Sequence, residues 1–415
     1  MFKEKERVVV VGVETADNYR YFEESLREAA NLIETAQGVV VHEVIQKRPA
    51  VDRKTIVGKG KLEELVQLID AYEADLVVFN QELTPRQSQL LSEACQVKVI
   101  DRVQLILDIF AMRAQSKAGK LQVELAQLNY LLPRLTGQGA ALSRLGGGIG
   151  TRGPGETKLE TDRRHIRNKI TNIKTELKEV AASRERNRQK RQSTGIFQIG
   201  LIGYTNAGKS TLLNRLTNAE AYSQDQLFAT LDPLTKQWQL AEGFEVTLTD
   251  TVGFIQDLPT QLIEAFQSTL EESRNMDLLL HVVDASSADR DLQEQTVLKL
   301  MDELEMDDVP VLTVYNKMDQ VEQADFTPTL FPHIQVSAKR PEDRQVIEAG
   351  IRQRLMELFI PYEFELAVDQ GYKLTKLTTD TLVINQEFDE EQEVYRVAGF
   401  APENSRWLPK EESEW

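Results

Sequence analysis

Cysteine is nearly absent from this chain: Cys95 is the single one in 415 residues. A disulfide framework is excluded, and a reducing compartment fits best. No run of about 18 apolar residues occurs, so no membrane-spanning helix is expected. The opening residues MFKEKERVVVV carry too short an apolar run, and no small-residue cleavage site, for a secretory leader. No lipid-anchor motif is present. A zinc-ligand set, a helix-turn-helix signature and a heptad zipper are also missing, so nothing points to DNA reading. A cytoplasmic chain is expected, with partial, peripheral attachment to a membrane left open.

What is present is a folded composition, 41% hydrophobic and 28% charged, long enough for two to four domains. The formal net charge of -17 argues at first sight against a polyanionic partner. Its distribution reverses that reading. Residues 110–194 hold 18 Lys/Arg and 7 Asp/Glu, a net +11, which leaves -28 for the remainder. A strongly basic block sits inside an acidic protein.

Strand-like runs at 7–13, 38–46, 75–80 and 97–100 alternate with helical patterns at 21–35, 61–74 and 84–95, where Thr84 caps and Pro85 opens the last. That alternation predicts a parallel α/β domain over 1–105. Residues 102–133 read as one helix with an apolar stripe of Leu121, Leu125, Leu128 and Leu132, stopped by Pro133. Residues 134–156 hold eight glycines and the arginines Arg134, Arg144 and Arg152, a loop too glycine-rich for regular structure. From Thr157 to about Gln192 nothing breaks a helix, a rod on the order of 50 Å with Ile166, Ile170, Ile173, Leu177 and Val180 as its stripe. The expected fold is therefore α/β and multidomain. A long antiparallel helical hairpin (106–195) follows the first domain, with the Gly-rich loop at its tip. A P-loop domain (196–360) with a mostly parallel sheet and a small C-terminal domain (361–415) complete it.

The sequence GLIGYTNAGKST places Gly203, Tyr204, Thr205, Asn206, Ala207, Gly208, Lys209, Ser210 and Thr211 between a strand and a helix, the context a phosphate loop needs. Backbone N–H groups freed by the glycines can point at phosphates, at the positive end of the helix. Lys209 would reach the β and γ phosphates and Ser210 would ligate Mg²⁺. Forty residues on, Asp250, Thr251, Val252 and Gly253 form DTVG. Its Asp can hold Mg²⁺ through water, and its Gly N–H can sense the γ-phosphate. NKMD supplies Asn316, Lys317, Met318 and Asp319, whose carboxylate can accept two hydrogen bonds from guanine and none such from adenine. Ser337, Ala338 and Lys339 suit a loop under the base. Order and spacing resemble the translation-factor class of GTPases.

The stretch FATLDPLTK, with Phe228, Ala229 and Thr230, offers Thr230 and Thr235 as the switch I threonine for Mg²⁺. Thr230 is preferred, because it lies seven residues before Gln237, where the next strand is expected. Lys209, Thr230 and Gly253 are the expected catalytic set; Ser210, Thr230 and Asp250 are the expected metal set. Phe254 stands where many GTPases carry a water-orienting glutamine. Either its side chain retracts and backbone groups or a partner place the water, or basal hydrolysis is poor.

With GYTNAGKSTLLNRLT, FATLDP, DTVGFIQDLP, NKMD, SAK, VGKGKLEEL and the loop GGGIGTRGPGETKLETDRRHI, the chain resembles the HflX family of ribosome-associated GTPases over nearly its whole length. The resemblance implies GTP hydrolysis to GDP and phosphate, and binding to the large ribosomal subunit and its RNA through the basic hairpin. It also implies splitting or rescue of stalled or idle ribosomes during stress. Apart from the resemblance, a monomer is expected. Asn206 at its P-loop position implies a K⁺ near the phosphates. ATP binding by the first domain, reported for some members, has no phosphate loop to support it here. Leu234 and Lys236 depart from the family's usual Thr and Arg. Without the resemblance, a regulatory GTPase with a protein or membrane partner and a nucleotide-dependent RNA-binding scaffold both stay open.

Overall fold

The computed structural model describes residues 5–135, 154–217, 227–228, 230–240, 243–256, 273–322 and 326–408. The Gly-rich tip, with Arg144 and Arg152, lies outside them, as does Ala229. The chain forms two compact units. The first runs to Ala181 and takes in Leu227, Phe228, Thr230, Leu231 and Gln256 from later in the chain. The second holds the rest.

The first unit is built on four parallel strands, β1 (Arg7–Glu14), β2 (Val39–Lys47), β3 (Leu76–Phe79) and β4 (Lys98–Asp101), in the order β2-β1-β3-β4. The valine run Val8 to Val11 is buried throughout, as a central parallel strand covered on both faces requires. Helices α1 (Phe22–Thr35), α2 (Lys59–Ala71) and α3 (Pro85–Cys95) make the crossovers. Thr84 and Gln87 close a reciprocal capping box at the start of α3.

The helix expected over 102–133 is two helices. α4 (Arg102–Arg113) ends at Ala114, and α5 (Lys117–Arg134) restarts under Ser116, whose hydroxyl accepts from Gly119 N at 2.8 Å. Pro133 sits within the last turn of α5, so it stops the helix one residue later than expected. The buried face of α5 only partly follows the leucine stripe. Leu125 is buried with Ala118, Gln122, Ala126 and Tyr130, while Leu121, Leu128 and Leu132 are half-buried, because α5 packs on α4 and α3 as well as on the rod.

The rod is α6 (Pro154–Thr194), 41 residues and about 60 Å. It runs antiparallel to α5, as Lys117–Glu176 (3.4 Å) and Lys169–Glu124 pair in opposite order. Its stripe is as expected: Ile173 is buried and Ile166, Ile170, Leu177 and Val180 are half-buried.

Arg134 is a correction. It belongs to α5, not to the tip, and ion-pairs with the fully buried Asp101 at 3.2 Å. A buried carboxylate needs such partners. Asp101 has three more in Leu83 N, Gln104 N and the Tyr130 hydroxyl, each 2.9 Å away.

The second unit carries a six-stranded sheet in the order β10-β9-β8-β5-β7-β6. Its strands are β5 (Phe197–Ile202), β6 (Leu234–Gln239), β7 (Glu245–Asp250), β8 (Leu278–Asp284), β9 (Val311–Asn316) and β10 (His333–Gln335). All run parallel except β6, which pairs antiparallel with β7. Helices α7 (Lys209–Thr217), α8 (Arg290–Glu303) and α9 (Asp343–Leu358) accompany it. A three-stranded antiparallel sheet follows, β11 (Ile360–Ala367), β13 (Val394–Ala401) and β12 (Leu382–Asp389), with α10 (Tyr372–Asp380). Phe359 meets Phe197 and Phe244 edge to face within the larger core. No helix among the described residues is long and apolar enough to cross a membrane.

Candidate nucleotide site

The loop after β5 is built where only glycine fits. Gly203 has φ +149, and a Cβ there would lie 2.2 Å from Val282 O. Gly208 has φ +100, and a Cβ there would lie 2.2 Å from Asn316 Nδ2. Asn206 also adopts positive φ and is exposed at the crest of the loop. Thr205 Oγ1 is buried with no hydrogen-bond partner. A buried hydroxyl left this way needs a ligand oxygen or cation to satisfy it, which fits a phosphate loop.

Lys209 opens α7 and is 5% exposed. Its Nζ donates to Gly203 O (3.0 Å) and Tyr204 O (2.9 Å), holding the ammonium at the loop's centre. Burial lowers its pKa to about 8, while the Asp250 charge pulls the other way. His281 on β8 is buried beside it, with its pKa lowered to about 4, chiefly by burial and then by the Lys209 charge. It is neutral at any physiological pH.

Ser210 Oγ donates to Asp250 Oδ2 at 2.6 Å, bringing together two of the expected metal-site residues. Ser, Asp and water oxygens are the hard donors that Mg²⁺ takes, so the pair fits that ion. Thr251 is turned away: its hydroxyl donates to Leu201 O at 2.6 Å. Val252 is buried. Gly253 passes so close that a Cβ would meet Thr205 Cγ2 at 2.8 Å and Lys209 Nζ at 3.0 Å.

Phe254 is 2% exposed, so its side chain is buried. Its backbone is zipped to the P-loop: Phe254 N donates to Gly203 O (3.1 Å), and Thr205 N donates to Phe254 O (2.7 Å).

The guanine motif divides into a brace and a reader. Asn316 is 2% exposed; its Nδ2 donates to Ala207 O, and its Oδ1 accepts from Ala338 N, both at 2.8 Å. It staples the phosphate loop to the Ser337–Lys339 loop. Lys317 takes positive φ and pairs with Asp284 at 2.7 Å, and Met318 is buried beneath. Asp319 is exposed at its turn and accepts from Ser337 Oγ at 2.6 Å. That bond above all holds its carboxyl below the usual range. Lys339 N donates to Ser337 Oγ at 3.3 Å. Arg215, which no motif marks, donates from α7 to Ala338 O and Lys339 O, both at 3.0 Å, and so supports the same loop.

Strand β6 begins at Leu234, three residues before the expected Gln237, because Leu234 and Thr235 already pair with Asp250 and Thr249. Thr235 Oγ1 is 2.9 Å from Thr249 Oγ1, so Thr235 is a sheet residue. The departures at Leu234 and Lys236 fall in this strand as well. Phe228 is 2% exposed, at positive φ, and meets Phe110 edge to face at 4.6 Å. It is seated in the first unit, as is Thr230.

Comparison with known proteins shows what the chain is similar to. Residues 198–317 match a family described as 50S ribosome-binding GTPase, residues 23–111 the GTP-binding GTPase N-terminal family, and residues 113–191 the GTP-binding GTPase middle region. GTPase HflX of Alkalihalophilus pseudofirmus is 53% identical over 401 residues, spanning 96% of this chain and 95% of that one. GTPase HflX of Escherichia coli is 46% identical over 309 residues, spanning 74% and 72%. A crystal structure of a GTP-binding protein from the archaeon Sulfolobus solfataricus with GDP is 23% identical, covering 84% of this chain and 99% of that one at a TM-score of 0.45.

Fold and site together define a P-loop GTPase that binds GTP and GDP and hydrolyses GTP. The chain belongs to the HflX family of GTPases.

Proposed function

We propose that this GTPase acts on the large ribosomal subunit, splitting stalled or idle ribosomes, and that its basic helical pair is the arm that meets ribosomal RNA. The observation that carries the reading is the union of a braced nucleotide site with that arm in one chain. On α6, Arg164, Arg167, Lys174 and Lys178 are exposed and recur on one face of the helix. Exposed cations so spaced neutralise phosphates. Lys117 and Lys169, by contrast, serve the α5–α6 pairing. A chain acting on ribosomes would work in the cytoplasm; its one thiol, Cys95, is buried, with its pKa raised to about 11.

In this reading the P-loop N–H groups and Lys209 hold the β and γ phosphates. Ser210 and Asp250 would hold Mg²⁺, which would supply charge neutralisation at the phosphates, with Thr230 the proposed switch I ligand once a γ-phosphate orders its segment. Gly253 N–H senses the γ-phosphate, and Asp319 reads guanine. With Phe254 unable to hydrogen-bond water, backbone groups or a partner would place the attacking water. Asn206, at the loop's exposed crest, would hold K⁺ there; equal hydrolysis rates in K⁺ and Na⁺ at constant ionic strength would remove that ion from the account.

Sedimentation with ribosomal subunits under GTP, GDP and a non-hydrolysable analogue tests the whole reading. Co-sedimentation with large subunits is expected under the analogue and loss of it under GDP. Nucleotide-independent recovery in the supernatant would refute it.

A further inference from the structure

We infer that α4 is a positioning bar for both switch segments, with Arg102 holding the chain after Gly253 and Phe110 holding the chain before Thr230. The inference rests on the GTPase reading; its coupling to the helical arm rests on the ribosome reading.

The two contacts lie on one helix. Arg102 is its first residue and is 5% exposed. Its Nη2 donates to Gln256 O at 3.2 Å and pairs with the buried Glu28. Its Nη1 donates to Asn80 Oδ1 (3.1 Å) and Ser25 O (3.4 Å). Gln256 is three residues beyond Gly253. Phe110, eight residues along α4 and so about 12 Å away, takes the ring of Phe228, two residues before Thr230. A rigid helix thus fixes one residue beside each segment that must change when a γ-phosphate arrives. Only two residues lie between Gly253 and Gln256, so a change of the chain at Gly253 bears directly on the Arg102–Gln256 bond.

The guanidinium is suited to change partners. Planar Arg offers five donors in a fork, and Nε has none of its own here. A cavity of about 230 Å³ lies beside it, lined by Asn18, Tyr21, Ser25, Asn80 and Glu82. Losing Gln256 O would turn the group toward that space without exposing it.

The residue before Arg102 faces the arm. Asp101 caps α4 and takes Arg134 and the Tyr130 hydroxyl, both from the last two turns of α5. Adjacent residues at the start of α4 therefore address the arm and the chain after Gly253. Strain on α5 would reach Gln256 through one peptide unit.

Hydrogen exchange on the full chain with GDP and with a non-hydrolysable GTP analogue tests the bar without ribosomes. Amides of 101–113 are expected to differ in exchange rate about tenfold between the two nucleotides. Arg102→Met should collapse the difference, Arg102→Lys should restore part of it, and Phe110→Leu, a milder change, should halve it. Equal protection of α4 under both nucleotides in the wild-type chain would overturn the inference. Large subunits then test the arm. Arg102→Met is expected to lower the subunit-stimulated kcat about tenfold while the half-saturating subunit concentration stays within twofold. A proportional fall in basal and stimulated rates would show a merely structural role and overturn the coupling. Absence of any subunit effect on the wild-type chain would count against the ribosome reading alone, since the exchange result stands apart from it.

Discussion

The two parallel sheets of this chain solve the same topological problem and end it differently. Each has a first strand flanked by later strands on both sides, so the loops at its carboxyl end diverge and leave a crevice. In the second unit that crevice carries Gly203, Gly208 and a buried lysine whose partners are backbone carbonyls, and an anion can claim all of them. In the first unit the crevice is plugged by Arg102 with its own carboxylate, Glu28, its own amide, Asn80, and the carbonyl of Gln256. Topology makes both places; loop chemistry decides that one is a ligand site and the other a structural joint.

The sharpest break in the comparison is Gly203→Ala. The new Cβ would stand 2.2 Å from a backbone carbonyl at a φ of +149, which no side-chain movement relieves. GTP binding should fall below detection by calorimetry. A Gly203→Ala chain that binds GTP normally would mean the phosphate loop lies elsewhere. Next in size is Glu28→Ala in the plugged crevice. It strands a buried guanidinium and should cost about 3–5 kcal/mol by denaturant melting, while GDP affinity stays within about twofold. If melting is unchanged, the plug is not a structural joint.

Asp319→Asn is smaller, because an exposed carboxylate is involved rather than the frame. Loss of its paired acceptors should weaken GTP on the order of 10- to 100-fold and raise affinity for xanthosine triphosphate. Competition binding with both nucleotides decides it, and unchanged preference would take guanine reading away from Asp319.

Much of the ligand crevice was legible in the sequence because its chemistry leaves few choices. A glycine loop, a lysine and a serine between strand and helix have one common use, and the later motifs follow in fixed order. The joint was not legible. Ala114, Gln115 and Ser116 contain no glycine or proline, so the break between α4 and α5 left no mark except a serine cap. Arg134 read as a tip residue because its partner, Asp101, is thirty-three positions away. Phe228 read as part of a nucleotide loop, since the ring it meets lies in another sheet's helix. Arg215 braces carbonyls, which any residue supplies, so no motif could flag it. Local pattern shows elements and loops; it does not show which distant backbone a buried charge will find.

The smallest expected effect concerns the lysine itself, and it separates two quantities that are often taken to move together. With pKa about 8 in the folded chain, Lys209 lies below its unfolded value of 10.5. Between pH 8 and 10.5 the unfolded chain therefore binds more protons, and the nucleotide-free protein should grow more stable as pH rises through that window. Nucleotide affinity should move the opposite way, because the phosphates need the ammonium and restore it. From pH 7 to 8.5 the protonated fraction drops about fourfold for a pKa of about 8, and GDP should bind weaker by that factor. His281, with its pKa about 4, and Cys95, about 11, take no part in this range. Calorimetry in buffers of differing ionisation enthalpy should show about half a proton taken up per GDP bound at pH 8. No uptake there, with affinity flat to pH 8.5, would mean that the lysine is already fully charged against its two carbonyls. The open crevice would then be preorganised for phosphate as firmly as the plugged one is for its guanidinium.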